Sequence, residues 1–365
     1  MEIAIIGGGN GAYAAAADLT EKGHNVRLWR RNVGAFGPLL DTRTMKVKDI
    51  NGIREVKLSL VSADLQDVVT GARLLVIPLP ATAQASIAKE LAPYLQNGQV
   101  IYLPPGTFGS YLMSNVLHEV GCTAEVTFAE TGTLPYLARK HSDDTVSISG
   151  RATRLPTGVF PSSRSAYAFS ILKEAFLSIE PIQDALDGAL MNAGPIIHPP
   201  LILMNAGAIE HFDRWDIHGE GTQPAIRRVH HALDAERIAI REKLGYQAPH
   251  FPLADHYNTT EGEEWMYGLA AHEKLVDSAD WHESLDLYTH RYMREDIACG
   301  LALLVSLAEW AGVKAPVASG LLAIASAVIR EDLRLMGRTL ENLKLQHLSI
   351  KEMKVMLEQG IEVTA

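Results

Sequence analysis

The chain has 365 residues, 47% hydrophobic and 21% charged, with a formal net charge of −10. That length suits about two domains with cores of their own, and an acidic balance without a basic tract speaks against a sequence-independent grip on nucleic acid. Cys122 and Cys299 form neither a disulfide framework nor a metal cluster, so a reducing cytoplasm is expected. The longest apolar stretches, 297–308 and 315–329, are too short to span a bilayer comfortably, and no signal peptide is expected ahead of the first apolar run.

The chain opens on an apolar run, 2–6, suited to a buried parallel strand. Gly7, Gly9 and Ala12 then fill the key places of a G-x-G-x-x-G/A fingerprint: a tight turn, room for a pyrophosphate, and close packing of helix on strand. Asn10 and Gly11 open the helix, whose N-terminal amides attract phosphate. A second strand is expected over 25–29. An acidic residue that binds the adenosine ribose normally ends such a strand; here Arg30 and Arg31 follow instead. Either they are solvated arginines at a strand end, or they bind a 2′-phosphate through paired charge-assisted hydrogen bonds. The second reading predicts NADP(H) as the preferred cofactor, with NAD(H) possible.

Strands are next expected at 44–48, 56–60, 73–77, 99–103, 125–128 and 145–149, with helices over 63–69, 81–94 and 110–120 between them. The alternation predicts an α/β fold: an N-terminal Rossmann-type, doubly wound parallel sheet. Ligands of such sheets bind beyond the carboxyl ends of the strands. That places Pro80, Pro105, Gly106, Thr131 and Gly132 around the reactive end of the cofactor, with Thr131 and Gly132 also candidates for touching substrate. Residues 151–165, with Pro156, Gly158 and Pro161, read as a loop before a helix over 166–177.

From about residue 184 strand signals stop. Helices are expected over 184–193, 199–210, 226–244, 294–311 and 317–335, so an all-helical C-terminal domain follows. The predicted domains are 1–182, binding NAD(P), and 183–365, binding substrate and carrying catalysis.

Hydride transfer needs an acid/base group beside the carbon that accepts the hydride. No lysine occurs between Asp184 and Trp215. His198 ends an apolar run just before Pro199-Pro200, and it is the candidate acid. Other histidines, at 211, 218, 230, 231, 282 and 290, match no ligand motif, and no metal site is expected. Asn205, on the same helical pattern, is a candidate for binding substrate. Arg227, Arg228, His230 and His231 form either a solvated helix face or a surface for an anionic substrate.

Together, GGGNGA at Gly7, the 192–200 segment around His198, DAERIAI from Asp234, the 291–313 segment beginning RYMRED, and GRTLENL from Gly337 carry a resemblance. Over nearly its whole length the chain resembles the opine dehydrogenases of the octopine and nopaline type. That resemblance implies a catalytic pair, His198 and Asp296, and a substrate-binding arginine, Arg291. It also implies reductive condensation of an α-keto acid with an amino acid or other amine; a homodimer is expected for this scaffold. Read locally, Asp296 could simply precede the apolar helix. A plain 2-keto or 3-hydroxy acid reductase on the same scaffold is the alternative reading. Arg30 departs from the acidic residue usual in the resembled enzymes, so their use of NADH does not carry over.

Overall fold

A computed structural model describes residues 1–253, 267 and 285–361. It divides into a first unit, Met1–Leu79 with Ala83–Ala189 and Met356–Ala365, and a second, Pro80–Thr82 with Leu190–Val355. The expected break between 182 and 183 lies seven residues before the one at Ala189, just past the last strand.

The strands of the first unit are β1 (Glu2–Ile6), β2 (Asn25–Trp29), β3 (Thr44–Asp49), β4 (Gly52–Lys57), β5 (Leu60–Ser62), β6 (Leu74–Val76), β7 (Val100–Leu103), β8 (Thr127–Thr131), β9 (Tyr136–Lys140), β10 (Thr145–Arg151), β11 (Leu155–Phe160) and β12 (Ile179–Pro181). Eight of them form one sheet in the order β12-β11-β8-β7-β6-β1-β2-β5. From β5 to β8 its pairings are parallel, and β11 runs antiparallel to β8. Residues 3–6 of β1 are fully buried, as are those of β6 and β7, which is why these strands read as unbroken apolar runs. Helix α1 (Asn10–Glu21) carries Ala12 and Ala14–Ala17, all covered, so the small side chains let it lie close on the sheet.

Two expectations are corrected here. Residues 155–160, read as loop, form β11, buried throughout. Pro156 lies before the antiparallel pairing with β8, which runs from Thr157 to Phe160, so its missing N–H costs that ladder nothing. Gly158 lies so near the backbone at Asp184 that an added Cβ would stand 1.8 Å from the carbonyl oxygen. The Pro and Gly that suggested a turn therefore mark strand register and close approach.

The second correction concerns the strands expected over 44–48 and 145–149. With β4 and β9 they form a separate four-stranded sheet, order β4-β3-β10-β9. This sheet is tied to α1 along its length. The Lys140 amide donates to Asn10 Oδ1 at 2.9 Å, the Tyr136 hydroxyl to Asp18 at 2.9 Å, and Arg151 pairs with Asp18 at 2.6 Å.

The described part of the second unit is helical: Gly194–Met204, Ala206–His211, Pro224–Leu244, Tyr292–Leu301 continued by Ala302–Ala311, then Pro316–Ile329 and Leu333–Met336. Glu236 accepts from the Val317 and Ala318 amides, both at 2.8 Å, and so caps the helix that Pro316 opens. No helix among the described residues is long and apolar enough to cross a membrane.

Candidate active site

In the first unit, the glycine fingerprint folds as its residue types require. Gly7 has φ +144°, which strains any other residue, donates its amide to Trp29 O at 2.9 Å, and would place a Cβ only 3.1 Å from Leu79 Cδ2. Gly9 precedes α1 with nothing within 4 Å of where a Cβ would stand, leaving the helix's first amides open to a phosphate. Gly11 meets Leu134 and Pro78, and Ala12 is fully buried, so both serve packing. Asn10 spends its side-chain oxygen on the Lys140 amide.

The two arginines after β2 separate. Arg31 pairs with Glu90 at 2.6 Å and is 67% exposed. Arg30 lies across Gly8, donates to Ala35 O, and stands 3.8 Å from Asp143 Oδ1. Lys140 joins this group, 3.1 Å from the same Asp143 oxygen and 4.4 Å above the Tyr13 ring. Sequence reasoning missed Lys140 because the strand that carries it went unread.

Past the carboxyl ends of β7 and β8, Pro105 follows the last turn of strand and Gly106 donates to Thr131 O at 3.1 Å. Glu130 is fully buried, and its carboxylate accepts from the amides of Phe108 and Ser110 at 2.7 and 2.8 Å. Thr131, also fully buried, donates its hydroxyl to Pro156 O at 2.7 Å, and Gly132 is buried behind it. These groups shape the strand ends, and the Thr131 hydroxyl is committed to the fold.

In the second unit, His198 Nδ1 lies 2.8 Å from Asp296 Oδ2. A carboxylate only accepts, so Nδ1 donates and Nε2 is the ring nitrogen left to serve a substrate. Both side chains are nearly covered, 14% and 11% exposed. His198 lies inside the helix Gly194–Met204, where the sequence suggested the end of a run before a helix. Pro199 and Pro200 lack the N–H groups that would have paired with carbonyls one turn back, loosening the helix at this point. His230, fully buried, donates from Nε2 to Ile197 O at 2.9 Å, and burial pulls its pKa down to about 4, so it is neutral near pH 7. Arg227, Arg228 and His231, its neighbours in sequence, are exposed.

Asp296 belongs to a stretch of π-helical winding, Tyr292–Leu301, whose end shows the i→i+5 bond from the Ala302 amide to Ile297 O. Spaced four apart, Tyr292, Asp296 and Gly300 all face the helix of His198. Tyr292 stacks on the imidazole at 3.7 Å with 16° between the planes. Asp296 Oδ1 would lie 2.3 Å from a Cβ at Gly194, and a Cβ at Gly300 would strike Pro195. His218 and His290 stand edge-on, His218 at 6.1 Å from His198 and His290 at 4.4 Å from Tyr292. Arg291 is exposed and its guanidinium lies 5.4 Å from the Tyr292 ring.

Glu295 turns the other way from Asp296. It accepts from the Ala81 amide at 2.8 Å, while Arg338 donates to Ala81 O at 2.9 Å, so both polar groups of that residue, next to Pro80, are held. Asn205 is used by the fold: its amide nitrogen bonds Leu201 O and Gly221 O, and its oxygen accepts from Trp215. It thereby positions the loop that carries His218. Among the described residues no group of three potential metal ligands comes together; His282 lies outside them.

A glycine-fingerprint sheet domain and a helical domain with a His–Asp pair define a nicotinamide-dependent oxidoreductase. The family model of the NAD/NADP octopine/nopaline dehydrogenase α-helical domain matches residues 181–329, and that of the NAD-dependent glycerol-3-phosphate dehydrogenase N-terminus matches 2–126. An opine dehydrogenase of Arthrobacter sp. (strain 1C) is 28% identical over 353 residues, covering 95% of this chain and 96% of that one. Octopine dehydrogenase in complex with NADH and agmatine has the same fold, with TM-score 0.73 at 18% identity over 100% of this chain and 99% of its own. Yersinopine dehydrogenase with NADP+ bound gives 0.64 at 17%, over 98% of both. The chain is similar to the opine dehydrogenases over nearly its whole length and is an NAD(P)-dependent oxidoreductase.

Proposed function

We infer that the protein reductively condenses an α-keto acid with the amine of an amino acid, using NADPH in preference to NADH. The observation that carries the reading is the His198 Nδ1–Asp296 Oδ2 bond of 2.8 Å, which frees Nε2 for proton transfer. The amine nitrogen adds to the keto carbon, water leaves, and the resulting C=N carbon takes a hydride while its nitrogen keeps a proton. When bound, the nicotinamide supplies that hydride. His198 protonates the departing hydroxyl, Asp296 fixes the ring tautomer and stabilises the imidazolium, and Tyr292 holds the ring plane. Arg291 grips a substrate carboxylate through two parallel hydrogen bonds.

The open helix end at Gly9 and the turn at Gly7 suit a dinucleotide, and Arg30 over Gly8 favours one with a 2′-phosphate. The same reading keeps the expectation of a homodimer in the cytoplasm, where the unpaired thiols of Cys122 and Cys299 suit a reducing medium. His198→Ala is expected to lower turnover about 10²–10⁴-fold, measured as NADPH consumption on a matrix of keto acids and amino acids. Consumption that needs both partners supports the condensation. Consumption with keto acid alone supports the simpler reductase. Arg30→Asp should lose NADPH turnover while NADH turnover persists, and the reverse pattern overturns the cofactor preference.

A further inference from the structure

We propose that Lys140 and Asp143 tune recognition of the adenosine 2′-phosphate, Lys140 as a second ligand beside Arg30 and Asp143 as an internal competitor for both cations. The proposal deepens the NADPH reading and rests on it. Lys140 ends β9, and its backbone amide is bonded to Asn10 at the first residue of α1, so its place beside the glycine loop does not depend on its side chain. Its side chain, 15% exposed, carries the ammonium over the Tyr13 ring to reach Asp143 Oδ1. Arg30, 24% exposed, approaches the same oxygen from across Gly8. Asp143 itself is 49% exposed and rests against Gly37 in the segment after β2.

One oxygen of the half-exposed Asp143 side chain thus stands between two cationic side chains that are largely covered, next to the end of β2, where a dinucleotide's ribose is read. A phosphate monoester brings three acceptor oxygens and more charge than a carboxylate, so it satisfies both cations better. Ion pairs of this exposure are weak and readily exchanged. An unphosphorylated ribose offers a hydroxyl donor instead, and the only acceptor in this trio is Asp143. The same aspartate therefore works against NADPH and for NADH, while Lys140 works for NADPH alone.

Calorimetric titration of the full chain with NADPH and with NADH, at one ionic strength, tests the assignment. Lys140→Gln should weaken NADPH about tenfold and leave NADH within about twofold. Lys140→Arg should keep the NADPH affinity, and it guards against a glutamine variant that does not fold. Asp143→Asn should tighten NADPH by roughly two- to fivefold and weaken NADH. Equal weakening of both cofactors by Lys140→Gln overturns the proposal, as does an Asp143→Asn change of the same sign for both. A wild-type protein that binds NADH more tightly counts against the NADPH reading. Insensitivity of NADPH binding to both substitutions counts against Lys140 and Asp143 whichever cofactor the wild type prefers.

Discussion

Glu295 and Asp296 are adjacent carboxyls with different surroundings. Burial, and then the negative charge of Asp296 beside it, push Glu295 up to about 7, against the pull of the Ala81 amide and of Arg291 and Arg338. In the unfolded chain the same carboxyl loses its proton near its ordinary value of 4.5. Between those two values the folded protein keeps a proton that the unfolded chain has released. Stability from this group therefore falls as pH rises from about 4.5 to about 7, by up to about 3 kcal/mol, and is level above. Glu295→Gln retains an acceptor for Ala81 and removes the charge. It should be more stable than wild type in urea unfolding at about pH 8, with the gap closing toward about pH 4.5; a gap that does not vary with pH would show that Glu295 is ionised throughout.

At this scale the sequence was partly legible. His198 stood out by its proline-flanked setting, and Asp296 and Arg291 by resemblance to a family. That His198 and Asp296 meet is a matter of two helices packing across 98 residues of chain, which local spacing cannot express. Tyr292 and Glu295 stood in the RYMRED segment that carried the resemblance, but that motif gave them no task. Their tasks depend on which way each side chain turns from the helix, and local sequence does not express that.

Among the elements, those buried on both faces read clearly, since continuous apolar runs need no register to be recognised. β11 did not, because a strand with Pro156 and Gly158 looks locally like a turn until a neighbouring backbone explains the glycine. Gly158→Ala puts a methyl against the Asp184 carbonyl and the Ala185 Cα, both backbone, where little can yield. The expected loss is about 3 kcal/mol, read as a lower melting temperature. An unchanged melting temperature would mean that β11 does not sit against that backbone. The second sheet was hidden for another reason. Alternation shows that 44–48 and 145–149 are strands, but strand partners are chosen at distances of about a hundred residues. With that pairing unread, β9 was lost, and with it Lys140.

For the molecule as a whole, the end of the strand signals marked the passage from strand-rich to helical sequence within a few residues of the last strand. A change of pattern can mark one passage only. The chain passes between its two units four times, after Leu79, Thr82, Ala189 and Val355. The three residues Pro80–Thr82 belong with the helices, Ala81 among them held by Glu295 and Arg338 at both its amide and its carbonyl. The final described residues, from Met356, belong with the sheets. One scission of the polypeptide, wherever it falls, therefore releases neither unit whole. A nick after Ala189 would leave each fragment carrying a piece of the other's fold. The halves of this enzyme are modules in architecture, but they are not separable as lengths of gene.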